Sequence, residues 1–413
     1  MHSQFFFKEE MDWSPLECQI WQKHAVFNPR TGALLEPELV PNLTQMCGQP
    51  QYSPTRLRLS SAADVYYLPT ASTIVRPPSQ SGNTPVTAAK AEPITDQMIL
   101  NLKNALANSV PQSQYQLSDF EIGRRLGAGA FGEVFQAKNL KDGNTVVVKI
   151  ISKTNLKKKG LGQEDVNAEV AVLEHLSSIC HPYILCYSAY IEDDNNYYIV
   201  TEYLGHHENL LDFVKKHQLT PQQKATIMNY LREGLLQIHA AGVAHRDIKP
   251  ENIMIETSTL IPTYIDFGLA CIGSACTTHK AAGTVTYMAP EIAKGITQTE
   301  QYNLKLLQLA DIWSLGMTEF YLVRGEDYLE LWYQTEFVPL HPEIDRKTLY
   351  SRTFSMRIIA NYLQTMPMVD LTKYLPSTYY TPILGIFMSI HMALQIDPNK
   401  RQILPVQLPA GIF

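Results

Sequence analysis

Three closely spaced glycines could bind phosphate. Residues 126–134 read LGAGAFGEV, which places Gly127, Gly129 and Gly132 between two strand-like runs. Glycine lets backbone N–H groups approach phosphate oxygens, because no Cβ stands in the way. The spacing alone is weak evidence, since it also marks dinucleotide-binding turns. Here the glycines lead into a second strand, EVFQAKN, and not into a helix, which argues against a dinucleotide-binding turn.

A lysine in an apolar strand is the second chemical signal. Lys149 follows three valines in a third predicted strand, TVVVKII. An ammonium group on such a strand is costly unless it finds a partner, and a bound phosphate or a carboxylate would serve. Glu169, in the helical stretch EDVNAEVAVLEHL, is the best candidate carboxylate. Each residue alone could be a solvated surface side chain, but the ordered set favours phosphate binding.

Three further motifs follow in the chain. Residues 245–252 read HRDIKPEN, residues 266–268 read DFG, and residues 287–291 read YMAPE. With the glycine loop and VVVK at 146–149, this ordered set resembles a eukaryotic-type Ser/Thr protein kinase over about residues 118–402. A lone HRD or DFG tripeptide would be weak evidence, whereas the joint set is highly specific because so many mechanistic parts agree.

The resemblance implies roles for the residues of these motifs. Protein kinases transfer the γ-phosphate of ATP, which needs positioning and charge neutralisation more than covalent chemistry. Asp247 would accept or orient the proton of the substrate hydroxyl. Lys249, at a spacing similar to that of Ser/Thr kinases, would steady the transferring phosphate. Asn252 and Asp266 would hold Mg²⁺, which prefers hard oxygen ligands.

The resemblance also implies a nucleotide site. Lys149, held by Glu169, would grip the α- and β-phosphates. Thr201 would be the gatekeeper, the backbone of residues 202–204 would bind adenine as the hinge, and Glu208 would contact the ribose. The predicted ATP-binding residues are Leu126, Gly127, Gly129, Gly132, Val134, Val147, Lys149, Thr201, Glu202, Leu204, Glu208, Met254 and Asp266.

The region from Asp266 to Glu291 resembles an activation segment. Within it, Thr284 resembles the threonine that bonds the catalytic Asp and Lys of Ser/Thr kinases. Asp311 resembles the buried aspartate that supports the catalytic loop, and Arg401 would pair with Glu291. Three residues are weak candidates for activating phosphorylation, because none has the expected spacing: Ser274, Thr277 and Thr278.

A small element near the start of the chain resembles a different module. Residues 16–50 contain Cys18 and Cys47 on either side of the turn NPRTG at residues 28–32. This pattern resembles the two-cysteine adaptor domain of large DNA viruses, although the stretch ALLEPELVPNL replaces the polar sequence usual after Gly32. The resemblance implies a viral source and a protein partner for residues 16–50. The two cysteines could form a disulfide, share a metal with other ligands, or be reduced and buried, which we favour.

Composition excludes several classes of protein. The 413-residue chain has a formal net charge of −6 and therefore lacks the basic field that attracts nucleic acid or anionic membranes. No apolar run is long enough to span a bilayer, and the first residues do not resemble a signal peptide. Six cysteines in a chain of this length are not a disulfide framework, so we expect them to be reduced. We therefore predict that the protein lies in the cytoplasm of a host cell or in a virus particle.

The order of predicted elements suggests an α+β protein with two lobes. We predict an adaptor-like segment over residues 1–70, and a linker with a short helix over residues 71–117. A bilobal kinase domain would then cover residues 118–413, with a β-rich N-lobe over about 118–204 and a helical C-lobe over about 205–413. The aromatic-rich stretch from residue 324 to 390 could be a docking surface or a remodelled helical core, and we favour the core.

Two functions are compatible with this organisation. The first is an active Ser/Thr kinase that uses ATP and Mg²⁺ on host or virion proteins. The second is a kinase fold that serves as a non-enzymatic scaffold or as a structural component of a virus particle. Because a scaffold tends to lose Lys149, Asp247 or Asp266, and all three are present, the sequence favours the enzyme.

Overall fold

A computed structural model describes the part of the chain that carries the motifs. The described residues are 115–128, 132–178, 181–278, 281–296, 300–375 and 384–406. The adaptor-like segment at 1–70, with Cys18 and Cys47, lies outside these ranges, as do nearly all of the linker and Gly129. The predictions about those residues, and the proposed domain boundaries, stay predictions.

A five-stranded antiparallel sheet forms the N-lobe. Its strands are β1 (Phe120–Ala128), β2 (Glu133–Asn139), β3 (Thr145–Ser152), β4 (Tyr187–Glu192) and β5 (Asn196–Glu202). They lie side by side in the order β1-β2-β3-β5-β4. Gly143, in the turn between β2 and β3, has a φ of 78°, which L-residues with a Cβ rarely adopt. The turn therefore fixes which residues of the two strands face each other.

The strand register puts the predicted nucleotide residues on one face of the sheet. Val134 pairs with Lys149 across β2 and β3, and Val147 pairs with Thr201 across β3 and β5. Paired residues point to the same face, and so do residues two apart in a strand. The opposite face carries a hydrophobic cluster that includes Val148 and Val200.

Two helices follow the sheet's third strand. Helix α1 (Lys153–Lys158) begins after Ser152, whose hydroxyl accepts a hydrogen bond from the backbone N–H of Asn155 at 3.4 Å. Lys157 and Lys158 lie in its last turn. Helix α2 (Gln163–Ser177) packs against β4 and buries Glu169 among apolar residues at helical spacing.

The C-lobe is mainly helical. Its described helices are α3 (Leu210–Lys216), α4 (Pro221–Ala240), α5 (Pro290–Lys294), α6 (Leu304–Arg324), α7 (Tyr328–Trp332), α8 (Val338–Leu340), α9 (Arg346–Leu349), α10 (Arg352–Thr365) and α11 (Leu384–Ala393). Helix α4 starts with a capping box, because the side chains of Thr220 and Gln223 each accept the other's backbone N–H. Helix α6 is buried around most of its circumference, as expected of the central helix of a lobe.

Short strands hold both ends of the HRDIKPEN loop. Strand β7 (Val243–Ala244) runs directly into the loop, and β8 (Ile253–Glu256) begins directly after it. β8 lies between β6 (His207–Asn209) and β9 (Pro262–Tyr264), while β7 pairs with β10 (Cys271–Ile272). The loop is therefore fixed by backbone pairing at both of its ends.

The aromatic-rich region after α6 packs as helices. Trp332 stacks on Tyr362 with ring centroids 3.6 Å apart, and Tyr333 is only 2% exposed. This packing agrees with the interpretation of the region as a helical core. Within the described ranges, no helix combines the length and apolar character needed to cross a bilayer. The predicted architecture, a β-rich N-lobe followed by a helical C-lobe, is confirmed.

Candidate active site

Asp247 is the centre of a dense hydrogen-bond network. Its Oδ1 accepts the backbone N–H of Thr284 at 2.9 Å and the Thr284 hydroxyl at 2.8 Å. Its Oδ2 accepts from Lys249 Nζ at 2.7 Å and from Asn252 Nδ2 at 3.0 Å. Lys249 Nζ also lies 2.8 Å from Thr284 Oγ1. The carboxylate is therefore held in one orientation by charge-assisted bonds, with a cation beside it.

His245 is fully buried and bonds to the backbone of the HRDIKPEN loop. Its Nε2 lies 3.1 Å from the carbonyl of Ile265, and its Nδ1 lies 3.3 Å from the backbone N of Asp247. The carbonyl can only accept and the backbone N–H can only donate, so the imidazole proton is on Nε2. Its ring also packs 4.8 Å from Phe267, which ties the HRDIKPEN loop to the DFG motif.

Asp311 supports the strained backbone of the same loop. Arg246 has a φ of 68°, which is unfavourable for a residue with a Cβ. The backbone N–H groups of His245 and Arg246 donate to the two Asp311 oxygens, each at 2.8 Å. His239 Nε2 lies 3.1 Å from Asp311 Oδ2 as well. The contact that the sequence predicts for Asp311 is therefore present, and it stabilises the loop conformation.

Lys149 lies between two carboxylates. Its Nζ is 2.6 Å from Glu169 Oε1 and 3.2 Å from Asp266 Oδ1. Burial alone would lower the pKa of Lys149, but the two carboxylates outweigh it and raise the pKa above its ordinary value. The ammonium group is therefore permanently charged, as a phosphate-binding group must be.

Asp266 and Asn252 carry the side-chain oxygens that the sequence analysis predicts as ligands of Mg²⁺. Burial tends to raise the pKa of Asp266, but the neighbouring Lys149 ammonium holds it below its usual value, so the group is ionised. Asn252 Nδ2 donates to the Asp247 backbone oxygen at 2.9 Å, which leaves the carbonyl oxygen of its amide as a hard ligand. A carboxylate with a carbonyl oxygen is a donor set that fits Mg²⁺.

The glycine loop shows why one of its glycines is required. A Cβ at Gly132 would lie 2.3 Å from the backbone oxygen of Ile150, so the loop can approach β3 only without a side chain there. A Cβ at Gly127 would meet nothing within 4 Å. Leu126 is 41% exposed on β1, whereas Thr201 is buried in β5. Gly132 is thus needed for backbone packing, a role that phosphate contact alone did not suggest.

The hinge and its neighbours are held by local bonds. The Glu202 carboxylate accepts the backbone N–H of Cys186 at 2.8 Å. Glu208 is engaged by Lys216 Nζ at 2.8 Å and by His217 Nε2 at 3.5 Å. Both carboxylates thus have protein partners, and the ribose contact of Glu208 stays a prediction. Met254, on β8, pairs in register with residues of β6 and β9.

The cysteines differ from expectation. Cys271 and Cys276 form a disulfide with Cα atoms 5.1 Å apart, and Cys186 is also disulfide-bonded. The expectation of reduced cysteines was therefore wrong for these residues. Six cysteines in a long chain do not form a disulfide framework for the whole fold, but one turn of 3₁₀-helix at Gly273–Cys276 is enough to bring two nearby sulfurs together.

A bidentate ion pair anchors the end of the activation segment. Arg401 Nη1 and Nη2 lie 2.6 and 2.7 Å from the two oxygens of Glu291, and the Arg401 side chain is fully buried. The guanidinium also donates to the backbone oxygens of Gln395 and Leu309. The predicted pair is present, and it joins α5 to the segment after α11.

The sequence reasoning missed Asp327. The hydroxyl of Tyr287, in the YMAPE motif, donates to its carboxylate, and Ser314 Oγ donates to the Tyr287 backbone oxygen at 2.8 Å. Burial raises the pKa of Asp327 to about 6, and the nearby Glu251 and Glu330 add to this, while the Tyr287 hydroxyl and Lys215 oppose it. No motif pointed to Asp327, because its partner lies 40 residues away in the chain.

Asp327 makes the stability of the fold depend on pH. Because its folded pKa is raised, the unfolded chain ionises first, and stability falls as pH rises from about 4 to about 6. Asp327→Asn removes this titration. We expect the free energy of unfolding of the variant minus that of wild type to increase by about 2–3 kcal/mol from pH 4 to pH 7, as measured by urea denaturation. The exposed Asp194→Asn control should differ from wild type by the same free energy of unfolding at every pH. The same pH-independent difference for Asp327→Asn would contradict the role of Asp327.

Comparisons with known proteins agree with the geometry. The family model of the protein kinase domain matches residues 120–353. Aurora kinase B of Mus musculus is 30% identical over 226 residues, which are 55% of this chain and 62% of that protein. Aurora kinase A-A of Xenopus laevis is 31% identical over 219 residues, 53% of this chain and 51% of that protein. This chain thus spans between half and two thirds of the length of these two relatives.

Proposed function

This chain belongs to the protein kinase family, and on that premise we propose that it transfers the γ-phosphate of ATP to serine and threonine hydroxyls of proteins. The single observation that carries the proposal is the network of Asp247, Lys249 and Thr284, with Asn252 beside it. A carboxylate oriented by donors on both oxygens and adjacent to an ammonium group is suited to phosphoryl transfer.

Each residue of the site would have a separate role in phosphate transfer. Asp247 would bind the substrate hydroxyl and accept its proton, because the carboxylate is the acceptor at the centre of the network. Lys249 lies within hydrogen-bond distance of both Asp247 and Thr284, so it can reach the transferring phosphate without leaving the site. Lys149, charged between its two carboxylates, would bind the other phosphates. Mg²⁺ held by Asn252 and Asp266 would supply neutralisation of phosphate charge.

The contact between Lys249 and Thr284 supports serine and threonine as acceptors. The HRDIKPEN loop carries its lysine two residues after Asp247, and that lysine bonds to a threonine of the activation segment. This is the arrangement that the resemblance to Ser/Thr kinases implies. The segment that bears Thr284 continues into a 3₁₀ turn at Val285–Tyr287. The hydroxyl and the backbone oxygen of Tyr287 are held by Asp327 and Ser314.

The test is the transfer of labelled phosphate from ATP to a generic protein substrate in the presence of Mg²⁺. The wild-type protein should label the substrate on serine and threonine, and the Asp247→Asn protein, purified in the same way, reports any contaminating kinase. Equal labelling by both proteins, or none by either, would contradict the proposed activity. Labelling confined to tyrosine would contradict the proposed acceptor.

We also propose that the protein is viral and acts on host or virion proteins, in the host cytoplasm or in virus particles. The support is the resemblance of residues 16–50 to a viral adaptor. Deleting residues 1–70 should leave phosphate transfer to a model substrate unchanged, while changing the set of proteins that co-purify from infected cells. A collapse of transfer would contradict the separation of this segment from the kinase domain.

A further inference from the structure

The Cys271–Cys276 disulfide lies at the start of the activation segment. Cys271 is five residues after Asp266, and both cysteines are buried, with 7% and 0% of their surfaces exposed. The bond closes a loop made of β10 and the 3₁₀ turn Gly273–Cys276. None of the phosphate-transfer residues needs this bond for its own chemistry, so its place in the fold calls for a separate explanation.

The disulfide loop is attached to the catalytic loop by backbone bonds. Cys271 pairs with Ala244, and Ile272 pairs with Val243, in the two-stranded sheet of β10 and β7. The backbone N–H of Gly273 donates to the oxygen of Gly242 at 2.9 Å. Since β7 runs directly into His245 and Asp247, a displacement of the disulfide loop would be passed to the residues that hold the base.

The same loop contacts two helices that support the site. Strand β10 packs against α2, which carries Glu169, and the 3₁₀ turn packs against α6, which carries Asp311. In the disulfide form, the Lys149–Glu169 pair and the bonds of Asp311 to the catalytic loop are all present. The site is therefore assembled in the oxidised state.

Hydrogen bonds hold the activation segment on both sides of the disulfide loop. The guanidinium of Arg246 donates to the backbone oxygen of Leu269 at 3.2 Å, before the disulfide loop. After it, Thr278 and Tyr302 exchange two backbone hydrogen bonds, at 3.2 and 2.8 Å. Among the described residues of the segment, the disulfide thus adds a covalent link to hydrogen bonds and ion pairs.

We propose that Cys271 and Cys276 are a redox-controlled modification site, whose disulfide holds the activation segment in its assembled arrangement and whose reduction lowers phosphate transfer. This inference rests on the proposed kinase activity. A disulfide acts mainly by restricting the alternatives open to the chain that it closes. Once the bond is broken, local opening of the loop becomes less costly, and the register of β10 on β7 is less well defined.

The reductant that the chemistry requires is a dithiol. One of its thiolates attacks a sulfur of the Cys271–Cys276 bond, which breaks as a mixed disulfide forms and the other cysteine leaves as a thiolate that takes up a proton. The second thiol of the reductant then attacks the mixed disulfide and releases the remaining cysteine. The two cysteines gain two electrons and two protons, and the reductant is oxidised to its own disulfide. An oxidised dithiol reverses the exchange.

The test compares oxidised and reduced full-length protein with dithiothreitol as the probe. Alkylation and peptide mapping first establish the state of Cys271 and Cys276 in protein purified without reductant. Reduction should lower kcat by about tenfold, and reoxidation should restore it. The Cys271→Ser/Cys276→Ser protein should have the lower activity and should not respond to dithiothreitol. A Cys186→Ser protein should still respond, which separates this disulfide from the other.

A second measurement does not depend on the activity. Hydrogen exchange of residues 268–278 should be faster in reduced than in oxidised wild-type protein, and this needs no substituted chain that could fail to fold. Free thiols at both cysteines in unreduced protein, or equal kcat and equal exchange in the two states, would overturn the proposal. An absence of transfer in both states, together with a change in exchange, would instead overturn the proposed kinase activity and leave the structural switch standing.

Discussion

Replacing Asp247 by Asn should lower kcat by about a thousandfold while leaving the affinity for ATP nearly unchanged. The amide has the shape of the carboxylate, so Thr284 keeps a hydrogen-bond acceptor. It lacks the charge that accepts the proton of the substrate hydroxyl, and its NH₂ group would face the Lys249 ammonium, which lies 2.7 Å from Asp247 Oδ2. The lost charge and the contact with Lys249 both affect the step of phosphate transfer. ATP affinity should change little, because ATP binding depends on other residues, such as Lys149.

Steady-state kinetics and calorimetric titration with ATP separate these two quantities. Asp194→Asn, in the exposed turn between β4 and β5, is the matched control, because it makes the same chemical change away from the site. A loss of kcat smaller than about tenfold would show that Asp247 is not the base. An equal loss of ATP affinity would show that the substitution disturbs the nucleotide site instead.

Replacing Arg401 by Leu should destabilise the C-lobe by about 3–5 kcal/mol. The substitution leaves the Glu291 carboxylate, which is 15% exposed, without the bidentate partner that offsets its burial. It also leaves the backbone oxygens of Gln395 and Leu309 without a donor. Glu291 is the last residue of the activation segment and lies on α5. Loss of the pair should therefore reduce phosphate transfer through a smaller folded fraction and not through KM.

Urea denaturation of the single variants and of the Arg401→Leu/Glu291→Leu protein measures the coupling between the two side chains. Removing both charges should cost less than the sum of the two single changes, because neither charge is then buried alone. Arg352→Leu, at an exposed position of α10, serves as the control. Strict additivity, or a loss equal to that of the control, would contradict the importance of the buried pair.

The parts of the site that could be predicted from sequence are those written in short motifs. Asp247, Lys249 and Asn252 lie within eight consecutive residues, and their mutual contacts follow from the geometry of one loop. The Lys149–Glu169 pair was predicted across 20 residues because a lysine in an apolar strand needs a counter-charge and the resemblance to protein kinases implied Glu169. The two-lobed architecture followed from the change from strand-like to helical periodicity.

The parts that could not be predicted depend on tertiary contact. Asp327 has no motif around it, and its importance comes from burial and from Tyr287, which no spacing in the sequence reveals. The need for Gly132 arises from the approach of its backbone to Ile150 on β3. The Cys271–Cys276 bond was missed because the number of cysteines was weighed against the whole chain, and not against the turn that contains this pair.

The pairing of Glu291 with Arg401 also sets an order of events during synthesis. The two residues are 110 positions apart, and a ribosome adds about 5–20 residues per second, so Glu291 is made roughly 5–20 s before its partner. When Glu291 is made, all five strands of the N-lobe sheet are already present, but Asp311, which supports the HRDIKPEN loop, and Arg401, which pairs with Glu291, are not. The anchor of the activation segment can therefore form only after α11 has been made.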